Sequence, residues 1–183
     1  MKKISVNRQQ NDEKIENDQR CGFIGLIGRP NVGKSTLLNQ LVGQKVSITA
    51  HKAQTTRNRI LGIRTVKNTQ MVFIDTPGIH PAKKLLNRKI VAYATETLRE
   101  TDLNLWLIEP LPETSLKKDG LSVLHREDQE ILKMLSGKER RTVLVLNKID
   151  TILQEQALVS MEKLAKLGDF AEIVPISALK STN

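Results

Sequence analysis

The chain has 183 residues, 39% of them hydrophobic, and a formal net charge of +9. At this length one domain buries about 70% of the surface its unfolded chain exposes, so a sizeable core is expected. One cysteine, Cys21, excludes an internal disulfide partner and reads as a small buried hydrophobe, and no apolar run nears the roughly 18 residues of a spanning helix.

Residues 1–20 are rich in Lys, Asn, Gln, Asp and Glu and lack the apolar segment of a signal peptide. They read as a disordered leader, with a soluble, cytoplasmic domain over residues 21–183. Gly22 to Ile27 (GFIGLI) is a short apolar run, expected as a buried strand. Lys34 to Val42 carries Leu37, Leu38, Leu41 and Val42 at helical spacing, and Gly43 stops that helix. Arg59 to Val66 predicts an edge strand, and Met71 to Ile74 a strand ending at Asp75. Arg88 to Arg99 reads as a helix and Leu103 to Ile108 as a buried strand. Glu109 to Leu124 holds two prolines, a glycine and several charges, and reads as a long loop. His125 to Leu135 is helical, Thr142 to Leu146 (TVLVL) a buried strand, Leu153 to Leu167 a helix capped by Gly168, and Ala171 to Ile176 a last strand. The alternation predicts a three-layer α/β/α fold of the P-loop kind. Its six-stranded sheet is mostly parallel, with one antiparallel edge strand. Ligands of such sheets bind beyond the carboxyl ends of the strands.

Charge is distributed unevenly. Residues 21–95 hold twelve Lys or Arg and a single acid, Asp75, whereas residues 96–183 hold twelve Lys or Arg against fifteen acids. A basic half of this kind suggests a polyanionic partner: nucleotide phosphates, RNA or an anionic membrane surface.

Gly28-Arg29-Pro30-Asn31-Val32-Gly33-Lys34-Ser35 fits the pattern G-x-x-x-x-G-K-[ST], between an expected strand and an expected helix. The glycines let successive backbone N–H groups face phosphate oxygens, and the helix N-terminus adds its positive dipole end. Lys34 is expected to reach the β- and γ-phosphates and Ser35, followed by Thr36, to hold Mg²⁺. Asn147-Lys148-Ile149-Asp150 follows the strand TVLVL directly. Two carboxylate oxygens of Asp150 can accept from N1–H and the 2-amino group of guanine, a donor pair that adenine lacks. Asn147 is expected to tie this loop to the phosphate loop, and the stem of Lys148 to lie over the base. Ser177-Ala178, after the last strand, fits a backbone N–H donating to guanine O6.

Asp75-Thr76-Pro77-Gly78 ends a strand, where Asp75 suits an outer partner of Mg²⁺ and the Gly78 N–H a contact to the γ-phosphate. Thr55 and Thr56 lie between the first helix and the second strand, and one hydroxyl there would complete Mg²⁺ coordination while GTP is bound. His51 and His80 read as solvated loop residues. Lys83, Lys84, Arg88 and Lys89 form a basic stretch able to meet RNA phosphates or simply water.

In order, G-R-P-N-V-G-K-S, Q-T-T-R-N, D-T-P-G, N-K-I-D and S-A resemble the five motifs of translation-factor-class GTPases. Over residues 22–178 they resemble the TrmE–Era–EngA family, and Era-type G domains in the run from Lys45 to Ile60. The resemblance implies a GTP-hydrolysing switch that uses GTP/GDP and Mg²⁺. It implies a role in assembly of the 30S small ribosomal subunit and maturation of its 16S rRNA, reached mostly through a KH domain. That domain, and the helix before it, would follow beyond Asn183. The implied location is the cytoplasm or the inner face of the cell membrane, with peripheral membrane association. Ile79 stands where many GTPases carry a water-orienting glutamine. Relatives with an apolar residue there hold K⁺ through the position of Asn31, so Lys34, Asn31, Thr56 and Gly78 are the residues expected to carry hydrolysis. The alternatives are a MnmE- or Der-like GTPase domain, a GTP-binding scaffold without turnover, and a P-loop kinase or ATPase, against which Asp150 and the S-A pair speak.

Overall fold

The computed structural model of the chain describes residues 19–43, 60–75, 98–137 and 141–182. Among them, six strands form one sheet: β1 (Arg20–Gly28), β2 (Ile60–Val66), β3 (Thr69–Asp75), β4 (Leu103–Ile108), β5 (Thr142–Leu146) and β6 (Glu172–Pro175). The order across the sheet is β2-β3-β1-β4-β5-β6. Every pairing is parallel except β2 with β3, which places the antiparallel strand at the edge. This is the sheet expected from the alternation of runs. The helices are α1 (Lys34–Val42), a single turn α2 (Glu113–Leu116), α3 (Arg126–Leu135) and α4 (Gln154–Ala165). Residues 98–100 are also helical; the remainder of the helix expected from Arg88, and residues 1–18 of the expected leader, lie outside the described residues, whereas Arg20, assigned to that leader, begins β1.

Strand periodicity decides the layers. Trp106 and Ile108 of β4 and Leu144 and Leu146 of β5 point to one face, where Ile131 and Leu135 of α3 and Ala157 and Leu164 of α4 close the largest core. The intervening Leu107 and Val145 point the other way and meet Val32, Leu37 and Ile176. Next to them Leu26 and Phe73 pack on Leu38 of α1. A strand covered on both faces has no polar side, so the central strands read as continuous apolar runs. Helix α1 ends where Gly43 adopts φ 74 and returns its N–H to Asn39 O at 3.0 Å; a side chain is disfavoured in that conformation. Among the described residues no helix is long and apolar enough to cross a membrane.

Three expectations need correction. Cys21 is exposed, not buried, because β1 begins at Arg20 and only becomes covered from Ile24 onward. The segment 109–124 is not a plain loop: it contains α2 and a 3-10 turn over Gly120–Val123. Gly168 does not cap α4, which ends at Ala165. The last turn instead closes through Leu167 N–H to Leu164 O at 3.0 Å, with Lys166 still in a right-handed conformation.

Candidate functional site

The phosphate loop leaves the carboxyl end of β1 and enters α1 at Lys34. Two glycines fix its path. A Cβ on Gly28 would lie 2.6 Å from Leu107 O, and one on Gly33 would lie 2.2 Å from Asn147 Nδ2. Gly33 takes φ 105 as the residue before α1, and no side chain caps the helix. The N-terminal turn of α1 thus carries no side-chain cap, the setting in which a helix start receives an anion. Asn31 is left-handed at φ 61, and Val32 is buried beneath the loop. Pro30 lies between Arg29 and Asn31 in the turn, half-buried. Lys34 Nζ donates to Gly28 O and to Arg29 O, each at 2.7 Å, so the ammonium curls back across the loop.

The base loop leaves β5 beside it. Asn147, buried at the strand end, donates from Nδ2 to Val32 O at 2.8 Å and accepts at Oδ1 from Ala178 N at 2.9 Å. One amide thus joins three segments far apart in the chain. Lys148 follows in the left-handed region, φ 68, and opens a 3-10 turn over Ile149–Thr151 that carries Asp150. A hydrogen bond from the Ser177 hydroxyl, aided by the Asp150 backbone N–H and the charges of Lys180 and Lys148, outweighs desolvation and holds the Asp150 carboxyl below its ordinary range. The carboxylate is therefore ionised at neutral pH, as an acceptor of two N–H groups must be. Ser177 N donates to Thr182 O at 3.1 Å and Ala178 N to Asn147 Oδ1. Both amides are engaged within the protein, so neither stands open to a base oxygen in this conformation.

Two acids at the site escaped the sequence reading. Glu109, directly after β4, accepts from Arg29 Nη2 at 3.1 Å and from Lys148 Nζ. Asp128, in the first turn of α3, places Oδ2 2.7 Å from Arg29 Nε. Desolvation alone would raise the Glu109 carboxyl; hydrogen bonding and charge from Lys148, then from Arg29, outweigh it and leave it lowered. A charged residue just past the carboxyl end of a buried strand is the signal that marks Glu109. Of the switch residues, the backbone of Asp75 ends β3 in register with Leu26. Thr55, Thr56, Thr76, Pro77, Gly78 and Ile79 lie outside the described residues, as do His51, His80, Lys83, Lys84, Arg88 and Lys89.

The loops after β1, β5 and β6 thus meet at the Asn147 side chain, with an uncapped helix start on one and an ionised carboxylate on another. A family model described as 50S ribosome-binding GTPase matches residues 23–148, and the chain belongs to that GTPase family. Within it the chain is similar to GTPase Era of Syntrophus aciditrophicus, 50% identical over 160 residues that take in 87% of this chain and 49% of that protein. It is 48% identical to GTPase Era of Geobacter metallireducens over 89% of this chain and 51% of that one. The chain spans about half the length of the curated relatives it matches. Two solved structures resemble it at a TM-score of 0.72 and 38% identity: Era in complex with MgGDPNP and nucleotides 1506–1542 of 16S ribosomal RNA, and a point variant of Aquifex aeolicus Era bound to GDP and AlF4⁻. Each covers 90% of this chain, which spans 53% of the first and 54% of the second.

Proposed function

We propose that this chain is the G domain of an Era-like switch, which binds GTP or GDP with Mg²⁺ and hydrolyses GTP. The single observation that supports this best is the Asn147 side chain. It ties Val32 of the phosphate loop and Ala178 to the start of the loop that carries the ionised Asp150, as the two ends of a guanine nucleotide would require.

In this reading the amides from Gly33 to Thr36 receive the phosphates. Lys34 releases Gly28 O and Arg29 O to take phosphate oxygens instead, exchanging two neutral acceptors for charged ones. Ser35 contributes a hydroxyl to Mg²⁺, with Asp75 behind it. The ion, when bound, neutralises charge on the β- and γ-oxygens. Among the described residues no group of three or more His, Cys, Asp and Glu could cage a metal. Mg²⁺ is commonly held through one or two side chains together with phosphates and water. Asp150 accepts the purine edge and Lys148 covers its face. Guanine O6 would share or displace Asn147 Oδ1 at the Ala178 amide. Thr55 or Thr56, Thr76, Pro77, Gly78 and Ile79 form the parts that respond to the γ-phosphate, and Asn31 holds K⁺ in place of a catalytic arginine. Similarity to Era extends the proposal to the whole protein: a cytoplasmic factor for the small ribosomal subunit, contacting 16S rRNA through a KH domain.

Phosphate release from GTP in potassium and in sodium buffers tests the reading. Turnover is expected in potassium and to fall at least tenfold in sodium. Equal rates would remove the role given to Asn31, and no turnover in either would leave only a nucleotide-binding scaffold.

A further inference from the structure

Asn147 is not the only link between the two nucleotide loops. Arg29 is the first residue past Gly28 in the phosphate loop, and Lys148 is the second residue of the base loop. Glu109 stands between them just past the end of β4, the strand that separates β1 from β5 in the sheet. Its Oε2 accepts from Arg29 Nη2 at 3.1 Å and its Oε1 from Lys148 Nζ. The guanidinium is fixed on its other side by Asp128, whose Oδ2 is 2.7 Å from Arg29 Nε; the Arg29 and Asp128 side chains are 16% and 1% exposed. The charged hydrogen bonds to Glu109 are directional, and with the buried Arg29–Asp128 ion pair they are only weakly screened, unlike an ion pair in open water. Neither bridge oxygen is needed to recognise the nucleotide. The arrangement spends both on setting the distance between the residue that leads the phosphate turn and the residue that covers the base.

We propose that Glu109 is a positioning residue that couples the phosphate loop to the base loop, so that a nucleotide seated in one finds the other already placed. The proposal rests on the guanine-nucleotide reading above. Its consequence is a cooperative grip: breaking the bridge loosens both loops relative to one another, and bound GDP leaves faster. A carboxylate does this because two oxygens accept from two cations at once; the isosteric amide keeps one acceptor and presents a donor to the other cation.

The test is a double-mutant cycle in the full chain, read by the dissociation rate and affinity of a fluorescent GDP. The variants are Glu109→Gln, Lys148→Met, which keeps the apolar stem but removes the ammonium, and the two combined, each checked for native circular dichroism. Glu109→Gln is expected to release GDP about tenfold faster, as loss of one charge-assisted hydrogen bond implies. In the Lys148→Met background the same change is expected to add no more than about threefold, because the bridge is already broken. A purely structural role would leave the two effects multiplying. Independent effects, or an unchanged rate in Glu109→Gln, overturn the coupling while leaving guanine binding intact. A wild-type chain that ignores GDP overturns both.

Discussion

Asp128 illustrates how one buried acid links the site to the pH of its surroundings. It is almost fully covered, its Oδ1 has no hydrogen-bond partner among the described residues, and burial pushes its pKa from 3.8 up to about 6. The Arg29 charge and hydrogen bond oppose that rise, and Glu127 and Glu109 add to it. The sign follows from proton counting. Between about pH 4 and 6 the folded state holds a proton that the unfolded chain has lost, so stability is greatest below that window and falls as pH rises through it. The cost approaches roughly 3 kcal/mol once the carboxyl is ionised. Asp128→Asn is expected to remove this slope, which urea unfolding at intervals between pH 4.5 and 7.5 would show. Identical slopes in both proteins would mean that Asp128 titrates normally. At this scale the sequence displayed the residues that carry recognisable spacing, Lys34 and Asp150 among them. It hid Glu109 and Asp128, because a salt-bridge partner has no fixed distance in sequence: Arg29 lies 80 residues from the first and meets the second only through the fold.

Whole elements were legible in proportion to how far local pattern alone determines them. Strands β4 and β5 fall at the bounds expected, since a buried parallel strand is an unbroken apolar run with turn residues beyond it. Helix α1 was equally plain, closed by a glycine in the conformation glycine favours. Segment 109–124 was opaque because its order comes from contacts distant in the chain. The Leu111 amide donates to Ser160 Oγ at 3.2 Å, Gln156 Nε2 to Leu111 O at 3.0 Å, and Lys163 Nζ to Lys118 O at 2.7 Å, all from α4. Leu111, Val123 and Leu124 then enter the main core. No composition rule reports a loop pinned from outside. Ser160 is the hinge of this attachment, fully buried and donating in turn to Gln156 O at 2.8 Å. Ser160→Ala strands the Leu111 amide away from water and is expected to cost about 1–3 kcal/mol in denaturant unfolding. A loss below a few tenths of a kcal/mol would show that segment 109–124 does not depend on α4.

For the molecule as a whole, the sheet gathers what the chain disperses. The phosphate loop, Glu109, the Asn147–Asp150 loop and the Ser177–Ala178 turn come from four parallel strands, and the order β3-β1-β4-β5-β6 sets them side by side at one edge. The phosphate loop and the expected switch residues belong to the basic half of the sequence, while Asp150, proposed to read the base, belongs to the acidic half. The fold therefore presents positive charge where phosphates would lie and negative charge where a purine's N–H edge would lie. The proposed guanine selectivity rests on Asp150 pairing with the purine edge. It is tested most directly by titrating the Asp150→Asn chain with GTP and with xanthosine triphosphate in the presence of Mg²⁺. The amide presents a donor where guanine also donates and where xanthine offers an oxygen, so preference is expected to shift from GTP toward xanthosine triphosphate by at least a hundredfold. Unchanged GTP affinity in that variant would contradict the placement of the base, and with it the guanine reading of the site.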